Sequence, residues 1–337
     1  MKNPHFRSFL SSVMDQYMKR CRNSLKEETC DDYCRMIASF DDYLFERSIK
    51  GPNISVDIID GWTKSIMDIL SQNTVQGYQY VVFGFLRFAE AFKVHSVLPD
   101  VISSDQTYIP HVFTDQERSA LHSNADNYIP TRGCPFPWVK AEIPMILRIL
   151  DSCGTRVTET LKIKMRDVDT QSGILTILSA KGNNERIVPI HPDLNELLKG
   201  YCLAMGLVGN PDAFLFPGRN RSEAIDRKSF RVHFLRLLNL SGITVERKKK
   251  YEREICVHCL RHTFICRSLD ALLESGLSEV DAHPYLSTYV GHADLYSTEH
   301  YLQYPIEKIE KDAGKYESYV DTIYNIPLFN EDVSEWQ

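Results

Sequence analysis

The sequence predicts a mainly α-helical protein with one small β-sheet, divided into an N-terminal helical bundle and a larger mixed domain. Three observations predict this. Apolar residues recur at three- and four-residue steps through most of the 337 residues. One β-rich run, Gly173-Ile-Leu-Thr-Ile-Leu-Ser-Ala180, leads through Lys181-Gly182-Asn183-Asn184 into Arg186-Ile-Val-Pro-Ile190, the pattern of a hairpin. Between the two parts lies HSVLPDVISSDQTYIPHV, which has two prolines and no periodicity. The expected boundaries are a bundle over 1–95, a linker over 96–112, a mixed domain over 113–304 and a tail over 305–337.

Each element has its own signal. Phe6, Leu10, Val13, Met14 and Tyr17 mark the first helix, and Tyr33, Ile37, Phe40, Tyr43 and Leu44 the second. Gly51-Pro52 breaks the chain. A third helix is expected from Val56 to Leu70 around Trp62 and Ile66. The fourth runs from Asn73 or Thr74 to Phe92, carrying Tyr78, Val81, Val82, Phe85, Leu86 and Phe88. Short connections between four amphipathic helices imply an antiparallel bundle. Beyond the linker, Thr114 with Glu117 three residues on is a capping box. Further helices are expected over Asp115–Ser123, Lys140–Ser152, Val157–Ile163, Pro192–Ala204, Lys228–Leu238, Leu260–Ser275 and Asp281–Val290.

Composition narrows the function classes. With 43% hydrophobic and 25% charged residues the chain is neither disordered nor collagen-like. No apolar run approaches the ~20 residues that cross a bilayer, and the N-terminus lacks the apolar core of a signal peptide. Nine cysteines without a CxxC framework read as reduced thiols, so a soluble, cytoplasmic protein with no membrane partner is expected. The net charge of −6 argues against a bulk polyanion binder, but it hides an uneven distribution. Residues 305–337 carry three basic and eight acidic side chains. Arg219 to Arg261 carries twelve Lys and Arg against five Asp and Glu, a local +7 that suits nucleic acid.

Four places could carry chemistry: Arg156 just past Gly154, Lys181 at the hairpin tip, His258-Cys-Leu-Arg261 on one helical face, and Gly291-His292 followed nine residues later by Tyr301. Singly, each has an ordinary reading as a salt-bridged arginine, a solvated turn lysine, a core histidine or a packing tyrosine. Cys256, His258, Cys259 and His262 lie close in sequence, but a zinc site usually takes two separated ligand pairs and no second pair is evident.

In this order, however, the set resembles the tyrosine recombinase (phage integrase) family. The surroundings agree: Gly154-Thr-Arg-Val-Thr-Glu-Thr-Leu161, His258-Cys-Leu-Arg-His-Thr-Phe264 and Tyr289-Val-Gly-His292. Leu286-Ser-Thr-Tyr-Val-Gly-His292 and Ser297-Thr298 before Tyr301-Leu302 look most like recombinases of transposons and integrative elements. Thirty residues separate Arg261 from His292, more than in the plainest members, with the surplus around Gly276–Pro284.

The resemblance implies a four-helix core-binding (SAM-like) domain ahead of a mixed catalytic domain, the two clamping DNA. It implies a site-specific recombinase in which Tyr301 is the nucleophile and forms a 3′-phosphotyrosine. Arg156 and Arg261 would bind the scissile phosphate, Lys181 would protonate the leaving 5′-oxygen, His258 would assist proton transfer and His292 would hydrogen-bond a non-bridging oxygen. No metal or other cofactor is expected. Tyr301 is preferred over Tyr296 and Tyr304 because the family places its nucleophile nine residues after the Gly-His histidine. The expected partners are double-stranded DNA recombination sites, further protomers in a synaptic tetramer and accessory DNA-bending proteins. Arg219, Arg221, Arg247, Lys248, Lys249 and Lys250 are candidate DNA contacts, with Lys19, Arg20 and Arg22 weaker ones. The acidic tail has an apolar stripe suited to docking on a neighbouring protomer or to packing on its own domain. A type IB topoisomerase and a catalytically idle DNA-binding accessory protein are the alternatives.

Overall fold

A computed structural model describes residues 5–105, 110–130, 138–178, 185–244 and 254–291. The chain forms two compact units that divide near residue 108, and each is described by itself.

In the first unit, α1 (Ser11–Ser24), α2 (Glu27–Glu46), α3 (Val56–Met67) and α4 (Gln72–Ala89) follow the apolar stripes. Met14, Ile37, Phe40, Leu44, Trp62 and Phe85 are wholly buried, and the Phe40 and Trp62 rings meet edge to face at 5.3 Å. Burying such side chains stabilises the bundle by about 1.5–3 kcal/mol each. The buried Asp41 carboxylate accepts the backbone N–H groups of Arg7 (2.7 Å) and Ser8 (2.9 Å), which holds the chain entering α1. Ser71 caps α4 by accepting the Thr74 N–H.

Two features depart from the sequence expectation. Asn53–Ile54 (β1) pairs in parallel with His95–Ser96 (β2), a two-residue contact too short for a period-2 signal. Residues 102–105, expected as linker, are tied to α4. The Gln79 side chain accepts the Ile102 N–H (2.9 Å) and donates to Thr63 Oγ1 (3.1 Å), and Asn73 exchanges hydrogen bonds with the Asp105 backbone.

The second unit opens with α5 (Asp115–Asp126), which carries the expected capping box. Helix α6 (Val139–Cys153) is its apolar centre: Ile143, Ile146, Leu147 and Ile149 are wholly buried. Helix α7 (Val157–Thr160) is shorter than expected, because the chain beyond it bonds sideways, Leu215 N–H to Ile163 O at 2.8 Å. The hairpin forms as β4 (Ile174–Leu178) and β5 (Glu185–Pro189), with Ile177 opposite Arg186, and β3 (Val168–Asp169) adds an antiparallel edge to β4. Helices α8 (Pro192–Ala204), α9 (Arg227–Leu240), α10 (His258–Glu274) and α11 (Glu279–Val290) complete the described part. The surplus residues around Gly276–Pro284 form a turn at Gly276, φ +94°, and the first half of α11. There Leu269, Ala282 and Leu286 make a small apolar cluster of their own. None of the described helices is long and apolar enough to cross a membrane.

Two buried carboxylates on α6 are treated oppositely. Burial works to raise the Asp151 carboxyl, but hydrogen bonds from His122 (2.9 Å) and the Arg118 fork (2.6 and 2.9 Å) outweigh it and hold it at about 2. Glu142 is wholly buried and neither carboxylate oxygen has a hydrogen-bond partner. Burial pushes its carboxyl up to about 8, against a weaker pull from Arg221. That lies above the unfolded value of about 4.3, so the folded chain holds a proton that the unfolded chain releases. Stability is therefore highest, as far as Glu142 sets it, below pH ~4 and falls as pH rises towards about 8, where the buried carboxyl itself must ionise. Glu142→Met is expected to raise stability at pH 7.5 by on the order of 1–3 kcal/mol, with the gain shrinking towards pH 5. Denaturation of both proteins across that range checks it, and a gain independent of pH would contradict it.

Candidate active site

The site is built on the C-terminal ends of two helices. Helix α6 stops at Gly154, which has φ +58°. A side chain there would strike the Phe264 ring of α10, so only glycine allows both the left-handed turn and the close approach. Helix α11 stops in the same way at Gly291, φ +67°, where a Cβ would lie 3.1 Å from Arg186 Nη1. Helix ends present carbonyls without intrahelical partners and carry partial negative charge. Arginines take these carbonyls here.

Arg261 lies one turn into α10 and is 2% exposed. Its Nη1 donates to Gly154 O (2.8 Å) and its Nη2 to Val290 O (2.7 Å), so one guanidinium joins the ends of α6 and α11. Arg156 immediately precedes α7. Its Nη2 donates to Gly291 O (3.0 Å) and its Nη1 to Glu159 Oε1 (2.8 Å), and its side chain is 35% exposed. The two arginines are thereby gathered on consecutive carbonyls, although 105 positions separate them in sequence. His258, the first residue of α10, is exposed and shares the face of Arg261; its ring meets His262 edge-on at 5.0 Å. Phe264 also stacks on Tyr289, centroids 5.5 Å apart, which packs α10 against α11.

Glu159 and Arg186 belong to this cluster and were not singled out from the sequence. The Glu159 carboxylate is buried and accepts from Arg156 Nη1, from the Arg156 backbone N–H (3.1 Å) and from Arg186 Nη2 (2.7 Å). Burial works to raise its carboxyl, yet the bonds from Arg186 and Arg156 prevail and hold it below the usual carboxylate range. A readable signal existed for both. Glu159 stands three residues after Arg156, and Arg186 occupies the strand register of the buried Val188 and Ile190. A charge at an inward strand position needs a buried partner. Among the described side chains that meet here, Arg156 and Arg186 share the one carboxylate and Arg261 bonds backbone carbonyls, leaving an excess of positive charge suited to an anion.

Of the other expected residues, Lys181, His292, Tyr301, Arg247, Lys248, Lys249 and Lys250, with the acidic tail, lie outside the described residues. Arg219 and Arg221 are exposed. The Arg221 guanidinium is engaged within its own unit, donating to Met205 O (2.6 Å) and lying 5.6 Å from the Trp138 ring.

Comparison with known proteins identifies the family of the chain. The profile of the phage integrase family matches residues 118–306, more than half of the chain. The integrase/recombinase y4eF of Sinorhizobium fredii is 29% identical over 204 residues, covering 54% of this chain and 73% of its own. The tyrosine recombinase XerD of Pseudomonas putida is 24% identical over 302 residues, 86% of this chain and 91% of its own. Among solved structures, the XerH site-specific recombinase bound to its palindromic difH substrate superposes with a TM-score of 0.68. It is 19% identical and covers 91% of this chain and 85% of its own, a likeness of fold. The chain belongs to the phage integrase family: it is a tyrosine recombinase, an enzyme of site-specific DNA recombination.

Proposed function

We propose that the chain cuts and rejoins DNA through a 3′-phosphotyrosine at Tyr301, exchanging strands between two duplexes. The observation that carries this reading is the gathering of Arg156 and Arg261 on the carbonyls of Gly154, Val290 and Gly291, directly before His292. In the proposed reaction the Tyr301 phenol oxygen attacks the scissile phosphorus and the bond to the 5′-oxygen breaks. Lys181 gives that oxygen its proton, and His258 takes up the phenolic proton. Arg156 and Arg261 hold the non-bridging oxygens with His292. A guanidinium has five N–H donors, and Arg156 uses one on Glu159 and one on Gly291, with an exposed edge left for phosphate. The phosphotyrosyl ester keeps the energy of the broken bond. A 5′-hydroxyl from the partner duplex reverses the steps, so the cycle needs neither ATP nor a metal.

Strand exchange between two duplexes calls for four protomers on DNA, working in the cytoplasm at the nucleoid. Accessory DNA-bending proteins fit this assembly. The relatives named above are integrases and recombinases, which favours exchange over topoisomerase-like relaxation or an idle accessory protein. The helical unit over 1–95 would clamp the duplex, with 96–112 as the linker to a catalytic domain over 113–304. A shallow groove of about 470 Å³ in that first unit supports the clamp. It is lined by Tyr17, Arg20, Ser24, Tyr33, Arg87 and Phe88, with the Arg20 guanidinium 5.7 Å from the centre of the Phe88 ring. Arg219, Arg247, Lys248, Lys249 and Lys250 are the proposed phosphate contacts of the catalytic domain. The tail over 305–337 would dock on a neighbouring protomer.

Covalent trapping tests the chemistry. Wild type and Tyr301→Phe, given DNA flanking the gene with a nick that releases the leaving strand, are expected to differ completely. The wild type should form an adduct without metal or ATP and the variant none. An adduct persisting in Tyr301→Phe would move the nucleophile to another tyrosine. No adduct on any bound fragment would favour the accessory protein. Replacing Arg247, Lys248, Lys249 and Lys250 with serine is expected to weaken binding uniformly and to flatten the dependence of log K on log salt by up to about 3–4. An unchanged slope in a salt titration would remove this segment from the interface.

A further inference from the structure

Arg186 has no part in the chemistry above, yet its guanidinium bonds the carboxylate that holds Arg156. It sits on β5 with a side chain 13% exposed and donates Nη2 to Glu159 Oε2 at 2.7 Å. The same carboxylate holds Arg156 through its side chain and its backbone N–H. Arg186 also lies against the turn that ends α11, where a Cβ on Gly291 would be 3.1 Å from its Nη1 and 3.3 Å from its Cδ. Arg156 in turn donates to Gly291 O. Arg186, Glu159, Arg156 and Gly291 thus close a ring that joins β5, α7 and the end of α11. Arg186 faces Ile177 in the hairpin register, next to the last described pair, Leu178 and Glu185.

We propose that Arg186 is a positioning residue for the recombination step. It holds Glu159 so that Arg156 presents its free edge to the scissile phosphate, and it fixes β5 to the turn that ends α11. A buried carboxylate with two guanidinium partners has one orientation available. Removing one partner frees it to rotate and leaves buried lone pairs unmet. This rests on the proposed role of Arg156, and the test separates the two.

The full chain is compared as wild type, Arg186→Met, Glu159→Gln, Arg156→Ala and the Arg186→Met double variants with each of the other two. Three quantities are read on nicked recombination-site DNA: affinity, the single-turnover rate of covalent adduct formation at saturating protein, and thermal unfolding. Arg186→Met is expected to bind DNA within about threefold of wild type but to form adduct about 10- to 100-fold more slowly, the usual loss for an orienting partner. In the Glu159→Gln and Arg156→Ala backgrounds the same change should slow the reaction less than threefold, since the residues act as one unit. A purely structural role would slow all backgrounds equally or weaken binding in step with stability, and either result overturns the proposal. So does an unchanged rate. Arg186→Lys keeps a charge without the planar fork, and it is read by the same criteria if Arg186→Met does not fold. If Arg156→Ala alone reacts at the wild-type rate, the phosphate role of Arg156 fails, whatever Arg186 does.

Discussion

Gly154 stands where the chain leaves α6 in a left-handed turn and the Phe264 ring occupies the space a side chain would need. This close approach brings α10 within hydrogen-bonding reach of the α6 terminus, which lets Arg261 bond Gly154 O while also bonding Val290 O. Those two bonds align the ends of α6 and α11. The Arg156 guanidinium then meets Gly291 O, and Glu159 and Arg186 fill in behind it. An alanine at 154 would oppose the left-handed turn and push the ring away at once, so a single missing methyl underlies the geometry of both arginines.

Much of this was legible in the sequence, for identifiable reasons. The helices appear because each buries one stripe, as Ile37, Phe40 and Leu44 do on α2, and the Thr114 capping box forms as read. The hairpin is legible because Leu175, Ile177 and Val188 alternate inward. Residues 102–105 were not legible as part of the first unit, because side-chain amides of Gln79 and Asn73 attach them and leave no periodic trace. The β1–β2 contact is too short to register. Arg156, His258 and Arg261 were found through an ordered motif. Glu159 and Arg186 each left a local trace, the spacing from Arg156 and the inward strand register, but their pairing across 27 positions is written in no local pattern.

The buried carboxylates show how strongly partners decide the effect of charge. Asp151 and Glu142 lie on one helix, and burial works to raise both. Asp151 meets an arginine fork and a histidine, so its ionised form is favoured and α5 is bound to α6. Neither Glu142 oxygen has a hydrogen-bond partner, and the weaker pull of Arg221 does not outweigh burial, so the carboxyl keeps its proton. Glu159 follows Asp151, with the difference that one of its partners, Arg156, is also partly exposed. A carboxylate held ionised by two arginines offsets one of their charges and leaves the cluster positive where an anion is to be received.

The use of arginine rather than lysine at these points follows from the double demand on each side chain. A lysine ammonium could satisfy one helix-end carbonyl, but as a point charge on a flexible stem it fixes no plane. A guanidinium bonded along one edge has its other edge oriented by the same bonds. Thus Arg156, tied to Glu159 and Gly291, is built into the fold by the contacts that aim it. Preorganisation of this kind is why electrostatic stabilisation in a dry site exceeds its value in water. In the proposed reaction, structure and activity are therefore inseparable at Arg156 and Arg261. At Arg186 they come apart, because that residue aims a neighbour and is itself 13% exposed behind it.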